Sequence, residues 1–349
     1  MRLTTIDIGT NTILMLIADV SADGSLFPLR DDQVIARLGR GVDADRKITP
    51  KTTSRVLNYL RDYKQVSESF HSEKVVACGT SALRDASNRK DFLDTVRREL
   101  GLEISILSGD EEAELTYRGA VSEFLGQDSD QSLAVLDIGG GSTELTIGRG
   151  TEIKQKSSLD LGSVRLTERT PLLNPPSSQA LQQAVSEIRD RISAFPQLPP
   201  HTRLIGVAGT VTTLAAINLG LASYDSSRVS GHFLSFATIE RVSKELNART
   251  VPQMAKDFPQ IQPGRSDIIV AGVLILIESL RRFEIEGITV SDRGLRYGMA
   301  LREISSHSAK HLLAQKRVSF ALDLAYFVVL PFRAFSATSS SADTAASRA

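Results

Sequence analysis

Two stretches of this chain repeat one another at the distance of a whole domain. TTIDIGTNT (residues 4–12) and AVLDIGGGST (134–143) are each an apolar strand ending in Asp-Ile-Gly, followed by a turn of small residues and a second strand. Asp7 and Asp137 stand 130 residues apart, and 349 residues hold two domains of ordinary size. A chain that opens each of two domains with the same turn reads as a duplication.

Around those turns the pattern alternates between strands and helices, which places the chain in the α/β class. In the first half it predicts strands over 3–9 and 13–20 and a helix over about 52–70. A strand over Lys74–Gly79 follows, then a helix capped by Ser87-Asn88 that runs to Leu100. A further helix opens on Asp110-Glu111-Glu112, acids that its dipole favours. The polar stretch Asp128–Gln131 marks a boundary, giving one domain over 1–127 and a second over 128–306. The second half predicts an extended stretch to Arg169, then helices over about 177–194, 237–248 and 267–282. It closes on the strand GITVSDRG and a helix from Leu295.

Residues 307–349 read as an extension. Its apolar segment, VSFALDLAYFVVLPF (318–332), has 15 residues, short of the roughly 20 that cross a bilayer. The Ser/Ala/Thr tail from Ser336 has no core to fold around and predicts disorder.

Lys+Arg and Asp+Glu both number 41, so the chain lacks the basic excess of a protein held on nucleic acid by bulk charge. The single cysteine, Cys78, lies in the apolar run VVACGT and reads as a buried, inert thiol. One cysteine and the absence of a leader pattern predict a reducing, cytoplasmic setting. The five histidines show no zinc spacing.

The turns themselves point to chemistry. Glycines let backbone N–H groups approach and converge on an anion, and Thr10, Asn11, Thr12, Ser142 and Thr143 add side-chain donors. An aspartate at each strand end suits Mg²⁺, a hard ion that favours oxygen ligands. Either turn alone is what any tight hairpin uses. The pair at domain spacing predicts a clamp on a phosphoryl group.

With VAGTVTTLA at 207–215, the turns resemble the phosphate motifs of the acetate/sugar kinase, heat-shock chaperone and actin superfamily. A closer resemblance, over residues 1 to about 305, is to the exopolyphosphatase and guanosine-pentaphosphate phosphohydrolase family. It is carried by DIGTNT (7–12), GTSALRDASN (79–88), SGDEEAE (108–114), DIGGGSTEL (137–145), GVAGT (206–210) and SDRGLRYG (291–298), in the family's order. It implies a duplicated actin-like (ribonuclease H-like) fold with a cleft between two domains.

The resemblance also assigns residues. Glu112 matches the catalytic base that activates water. Asp7, Gly9, Thr10, Asn11 and Thr12 match the first phosphate loop, and Gly139, Gly140, Gly141 and Ser142 the second. Arg84 matches a phosphate-contacting arginine; Gly209 and Thr210 complete the phosphate set. Asp137 and Glu144 match the acidic pair around Mg²⁺, with room for a monovalent cation. Asp292 and Arg296 are expected to brace the last strand and helix. Long members of the family carry a C-terminal helical domain of the histidine/aspartate type; no His-Asp dipeptide follows residue 305, so the compact two-domain form is expected, which bears on processivity and on any homodimer.

The expected partner is therefore an anionic phosphate polymer or nucleotide, with neither nucleic acid nor a membrane span. The leading reading is an exopolyphosphatase and the alternative a guanosine-pentaphosphate phosphohydrolase. An ATP-dependent kinase and a non-catalytic nucleotide-binding regulator stand behind them, against the acids at 112, 137 and 144.

Overall fold

Strand β1 (Arg2–Ile8) is buried from Leu3 to Ile8, the run expected of a strand covered on both faces. The tight turn after it sends the chain back along β1 as β2 (Thr12–Val20), in antiparallel register that sets Asp7 opposite Leu14. β3 (Leu26–Ile35) continues the meander, while β4 (Lys74–Gly79) and β5 (Ile104–Ile106) join in parallel, giving the order β3-β2-β1-β4-β5. The computed structural model describes residues 1–21, 25–126, 131–170, 172 and 175–305, of which 1–304 pack as one unit.

The same path is then repeated. β6 (Ser132–Ile138), β7 (Thr143–Arg149) and β8 (Glu152–Leu159) form the meander. β9 (Arg203–Val207), β10 (Phe233–Ser235) and β11 (Gly287–Val290) complete the order β10-β11-β9-β6-β7-β8. Apart from the edge strand β10, the two sheets match strand for strand. Even their irregularities correspond: the ladder slips between Ile17 and Ala18 in one and between Ile147 and Gly148 in the other, ten residues past each aspartate. The duplication is therefore built into the backbone.

Three elements depart from the sequence pattern. β3 was not foreseen because LFPLRDDQVI carries a proline and charged residues, the marks of a solvated edge strand. The stretch to Arg169 is not all extended, since Ser163–Arg169 is a helix. Asn88 precedes the helix Arg89–Leu100 without capping it; its side chain instead bonds both N–H and C=O of Ile48.

Two helices exchange sides. Gly109–Val121 follows β5 yet packs on β6, β7 and β8, with Tyr117, Ala120 and Val121 buried against Leu133, Val135 and Ile205. The helix over 295–305 follows β11 yet buries Leu295, Tyr297, Met299 and Ala300 against Leu3, Leu16, Cys78 and Leu107 of the first half. They cross at glycines: a Cβ on Gly298 would lie 1.8 Å from the Leu115 carbonyl oxygen. No side chain fits there. Cys78 is buried, and burial pushes its thiol up to about 11, the state of an inert packing group.

Of the polar stretch Asp128–Gln131 read as the domain boundary, 128–130 lie outside the described residues, as do the apolar segment 318–332 and the tail from Ser336. Among the described residues no helix is long and apolar enough to cross a membrane.

Candidate active site

The two Asp-Ile-Gly turns meet. Both line one cavity of about 360 Å³, a size that suits a small anion or nucleotide. Cβ atoms added to Gly140 and Gly141 would lie 3.0 Å from Thr10 Cβ and 2.7 Å from Thr10 Oγ1, so glycine is what lets the turns come this close.

Their internal geometry is the same. Gly9 N–H donates to the Thr12 carbonyl and Gly139 N–H to the Ser142 carbonyl, each at 3.0 Å. The intervening carbonyls are drawn away. Thr10 O and Asn11 O accept from the N–H groups of Gly39 and Arg37; Gly139 O and Gly140 O accept from Ser163, Val164 and Arg165. A trans peptide holds its N–H opposite its carbonyl. The N–H groups of Asn11, Gly140 and Gly141 are therefore turned the other way, and all three residues line the cavity. Donor-rich turns from both halves thus face one space, the arrangement that holds an anion.

A third wall comes from the start of the helix Ala208–Asn218, where Ala208, Gly209, Thr210 and Thr212 line the cavity. Ala208 sits at φ 67°, a left-handed conformation costly for alanine. A Cβ on Gly209 would collide with the Arg265 guanidinium at 1.5 Å. Arg265 itself is buried on the cavity wall, and burial pulls its pKa down to about 10, so it remains a cation at neutral pH.

Glu112 is placed by its helix. The Ser108 hydroxyl and the Glu111 carboxylate form a capping box that fixes the first turn of Gly109–Val121. That turn brings Glu112 to the cavity, where it is only 8% exposed and accepts a hydrogen bond from Arg84 Nη1 at 3.0 Å. Arg84 also donates to the Leu107 carbonyl.

Four carboxyl groups crowd together here, Asp7, Glu112 and Asp137 on the cavity wall and Glu144 behind it. Burial first, then the charges of Glu112 and Asp137, drive Asp7 and Glu144 well above the carboxylate range. Burial and Glu112 push Asp137 up to about 7. Glu112 is also raised by burial, against the opposing pull of Arg84. Asp7 Oδ1 and Asn11 Nδ2 are buried without a hydrogen-bond partner.

Of the residues singled out from the sequence, thirteen line this cavity: Asp7, Gly9, Thr10, Asn11, Thr12, Glu112, Asp137, Gly139, Gly140, Gly141, Ser142, Gly209 and Thr210. Arg84, Thr143 and Glu144 do not line it; the Thr143 hydroxyl donates instead to the Leu161 carbonyl at 2.6 Å. Arg84 stands behind Glu112, and Glu144, opposite Asp137 on β7, accepts from the Ser158 hydroxyl at 2.7 Å. Asp292 and Arg296 were expected only to brace the fold, yet both line the cavity. Arg296 does brace it as well, through a two-pronged bond to Asp31 at 2.7 and 2.8 Å. Asp31, Asp32, Gln33, Thr80, Ser81, Tyr224 and Arg265 were missed. Only the arginine after the turn Gln262-Pro263-Gly264 offered a local signal; the others arrive by tertiary packing.

Two sheets of matching 3-2-1-4-5 order around a cleft walled by paired glycine turns define the actin-like class of phosphate-handling proteins. The profile of the Ppx/GppA phosphatase family matches residues 16–307, and the chain belongs to that family. Exopolyphosphatase 2 of Mycobacterium tuberculosis is 36% identical over 315 residues, covering 86% of this chain and 98% of its own. Guanosine-5'-triphosphate,3'-diphosphate pyrophosphatase of Vibrio atlanticus is 26% identical over 330 residues, covering 92% of this chain and 64% of its own. The crystal structure of the Aquifex aeolicus Ppx/GppA family member superposes with a TM-score of 0.74 at 30% identity, over 88% of this chain and 98% of that one. The chain is an enzyme of the phosphoanhydride-hydrolase class.

Proposed function

We propose that the enzyme releases terminal orthophosphate from inorganic polyphosphate, using water activated by Glu112. The observation that carries this reading is the convergence of both donor-rich turns and the buried Glu112 carboxyl on one cavity. The terminal phosphoryl oxygens would accept from the turns of both halves, and Arg265 would face the following phosphate. Glu112 would take a proton from water as its oxygen bonds to phosphorus. The bridging P–O bond then breaks, and the shortened chain leaves with its electron pair. Phosphoryl transfer asks mainly for such positioning and charge stabilisation.

The donor chemistry fits Mg²⁺. Asp7 Oδ1 is buried and unpartnered, Asp137 lies in a field of like charge that a cation would relieve, and both groups are hard oxygens. Among the described residues no cluster of three His, Cys, Asp or Glu is arranged to hold a metal by itself. Mg²⁺ commonly takes one or two carboxylates and completes its shell with water and substrate phosphate. Asp137 with Asp7 would hold it, with Glu144 one layer behind, and it would supply charge neutralisation to the phosphate oxygens.

Phosphate release from long polyphosphate, tripolyphosphate and guanosine pentaphosphate, with and without Mg²⁺, tests the reading. Fastest turnover of polyphosphate is expected. Release from none of the three would refute it. Preference for the nucleotide would favour the second reading, for which Asp31, Asp32 and Gln33 are the relevant observation: their oxygens on the cavity wall suit nucleoside donors rather than phosphate.

Arg84 sets the working pH in this scheme. Burial raises Glu112, and the Arg84 charge and hydrogen bond oppose that rise. A base must be ionised to act, so activity falls as pH drops through its pKa. In Arg84→Ala the opposing pull is gone, and the acidic limb of kcat/KM moves to higher pH, with Arg84→Lys between the two. A pH–rate profile with an unmoved limb would count against this role.

A further inference from the structure

The helix Ser163–Arg169 touches both halves of the cleft, and one of its side chains, Arg165, bonds the second glycine turn and the first half at once. The N–H groups of Ser163, Val164 and Arg165 hold the carbonyls of Gly139 and Gly140. The Arg165 guanidinium adds the third, its Nε donating to the Gly141 carbonyl at 2.7 Å. Every carbonyl from Gly139 to Gly141 is thus secured by this short segment. Arg165 is only 6% exposed. Its remaining donors cross to the first half: Nη1 to Asp43, and Nη2 to Asp85 at 2.5 Å and to the Ser81 hydroxyl at 3.3 Å. Arg169, one turn on, bonds Asp43 at 2.7 and 3.0 Å, and Glu168 accepts from the Gly41 N–H at 2.9 Å.

We propose that Arg165 is a positioning residue that links closure of the cleft to the shape of the second phosphate loop. This rests on the reading of Gly139–Ser142 as a phosphate loop. With the halves together, Asp43 and Asp85 fix the guanidinium, which in turn fixes the Gly141 peptide. That peptide's N–H belongs to Ser142, and it is held opposite the bonded carbonyl. If the halves part, Arg165 either loses two carboxylates or follows them and releases Gly141. Neither separated state keeps all its partners, because the one carboxylate of its own half near the guanidinium, Asp160, stands at 3.8 Å and replaces neither Asp43 nor Asp85. Closure and loop order are therefore one event. Burial raises the Asp43 carboxyl, but Arg169 and Arg165 outweigh it and hold it below its usual range. Asp43 therefore meets both arginines as a carboxylate at neutral pH.

Two sets of variants separate the roles. Asp43→Asn and Asp43→Asn/Asp85→Asn weaken the clasp but leave the Arg165–Gly141 bond. They are expected to raise KM for polyphosphate about tenfold with kcat little changed, since saturating substrate restores the closed state. Arg165→Met also frees the carbonyl and lowers kcat; Arg165→Lys recovers part of it. Hydrogen exchange of the Ser163–Arg165 amides, measured without substrate, should quicken in the double variant, the single variant serving if the double one does not fold. Unchanged exchange, or a lowered Tm with KM and kcat intact, overturns the coupling while leaving the phosphate reading in place. Quickened exchange in a protein that releases no phosphate supports the coupling and refutes the function instead.

Discussion

Glu112→Gln is expected to lose phosphate release by about 10²–10⁴-fold in kcat, the usual worth of a general base, without loss of fold. Glutamine keeps the shape of the side chain and an oxygen to accept from Arg84, which retains its second bond to the Leu107 carbonyl. What it removes is the negative charge that raises Asp7, Asp137 and Glu144. The variant should therefore melt no lower than the wild type at pH 8, and it should still bind polyphosphate. Calorimetry beside a phosphate-release assay reads both. Wild-type turnover in this variant would remove Glu112 from the chemistry; a collapsed Tm would make it a structural residue.

The second large effect concerns Asp137. Its carboxyl titrates near 3.9 in an unfolded chain and is pushed up to about 7 here, by burial and then by Glu112. A group whose pKa is raised on folding stabilises fully below the unfolded value, and that contribution is lost as pH rises through the folded one. Stability should thus fall between about pH 4 and pH 8 on its account. Three units would be about 4 kcal/mol, a ceiling, because the repulsion is shared among neighbouring carboxyls. Asp137→Asn should abolish activity and yet raise Tm by roughly 2–6 °C at pH 8.5, with little gain at pH 5. Mg²⁺ should raise the wild-type Tm at pH 8.5 more than that of the variant. Equal Tm values at both pH values would contradict the charge crowding; an equal response to Mg²⁺ would move the cation away from Asp137.

Both expected effects express one trade: the cleft concentrates charge that the fold would be steadier without, and in the proposed mechanism activity depends on that charge. The same holds for Ala208, left-handed on the cavity wall, and for Arg265, buried there among donors.

Much of this was legible beforehand, for local reasons. A turn in which an added Cβ would lie 3 Å or less from the facing turn must be glycine, so both loops were written in the sequence as Asp-Ile-Gly followed by small residues. The acids Asp110-Glu111-Glu112 announce the start of a helix, and that start places Glu112. Other residues carried no such mark. Asp31 and Asp32 sit on a polar edge strand without amphipathic rhythm, and Tyr224 reaches the cavity from a loop. Arg84 was assigned to the substrate, whereas its guanidinium is turned to Glu112 and a backbone carbonyl.

The sequence by itself determined the duplicated α/β plan and the two Asp-Ile-Gly turns, because each is a property of a few adjacent residues, and the order of the motifs along the chain singled out Glu112. Only the tertiary structure decided that two helices exchange halves at Gly119 and Gly298, that Glu144 stands behind Asp137, and that Arg165 ties the loop to the opposite half. Those facts depend on which surfaces bury one another and which charges are then left to pair across 80 residues of chain or more. No spacing along the chain encodes that.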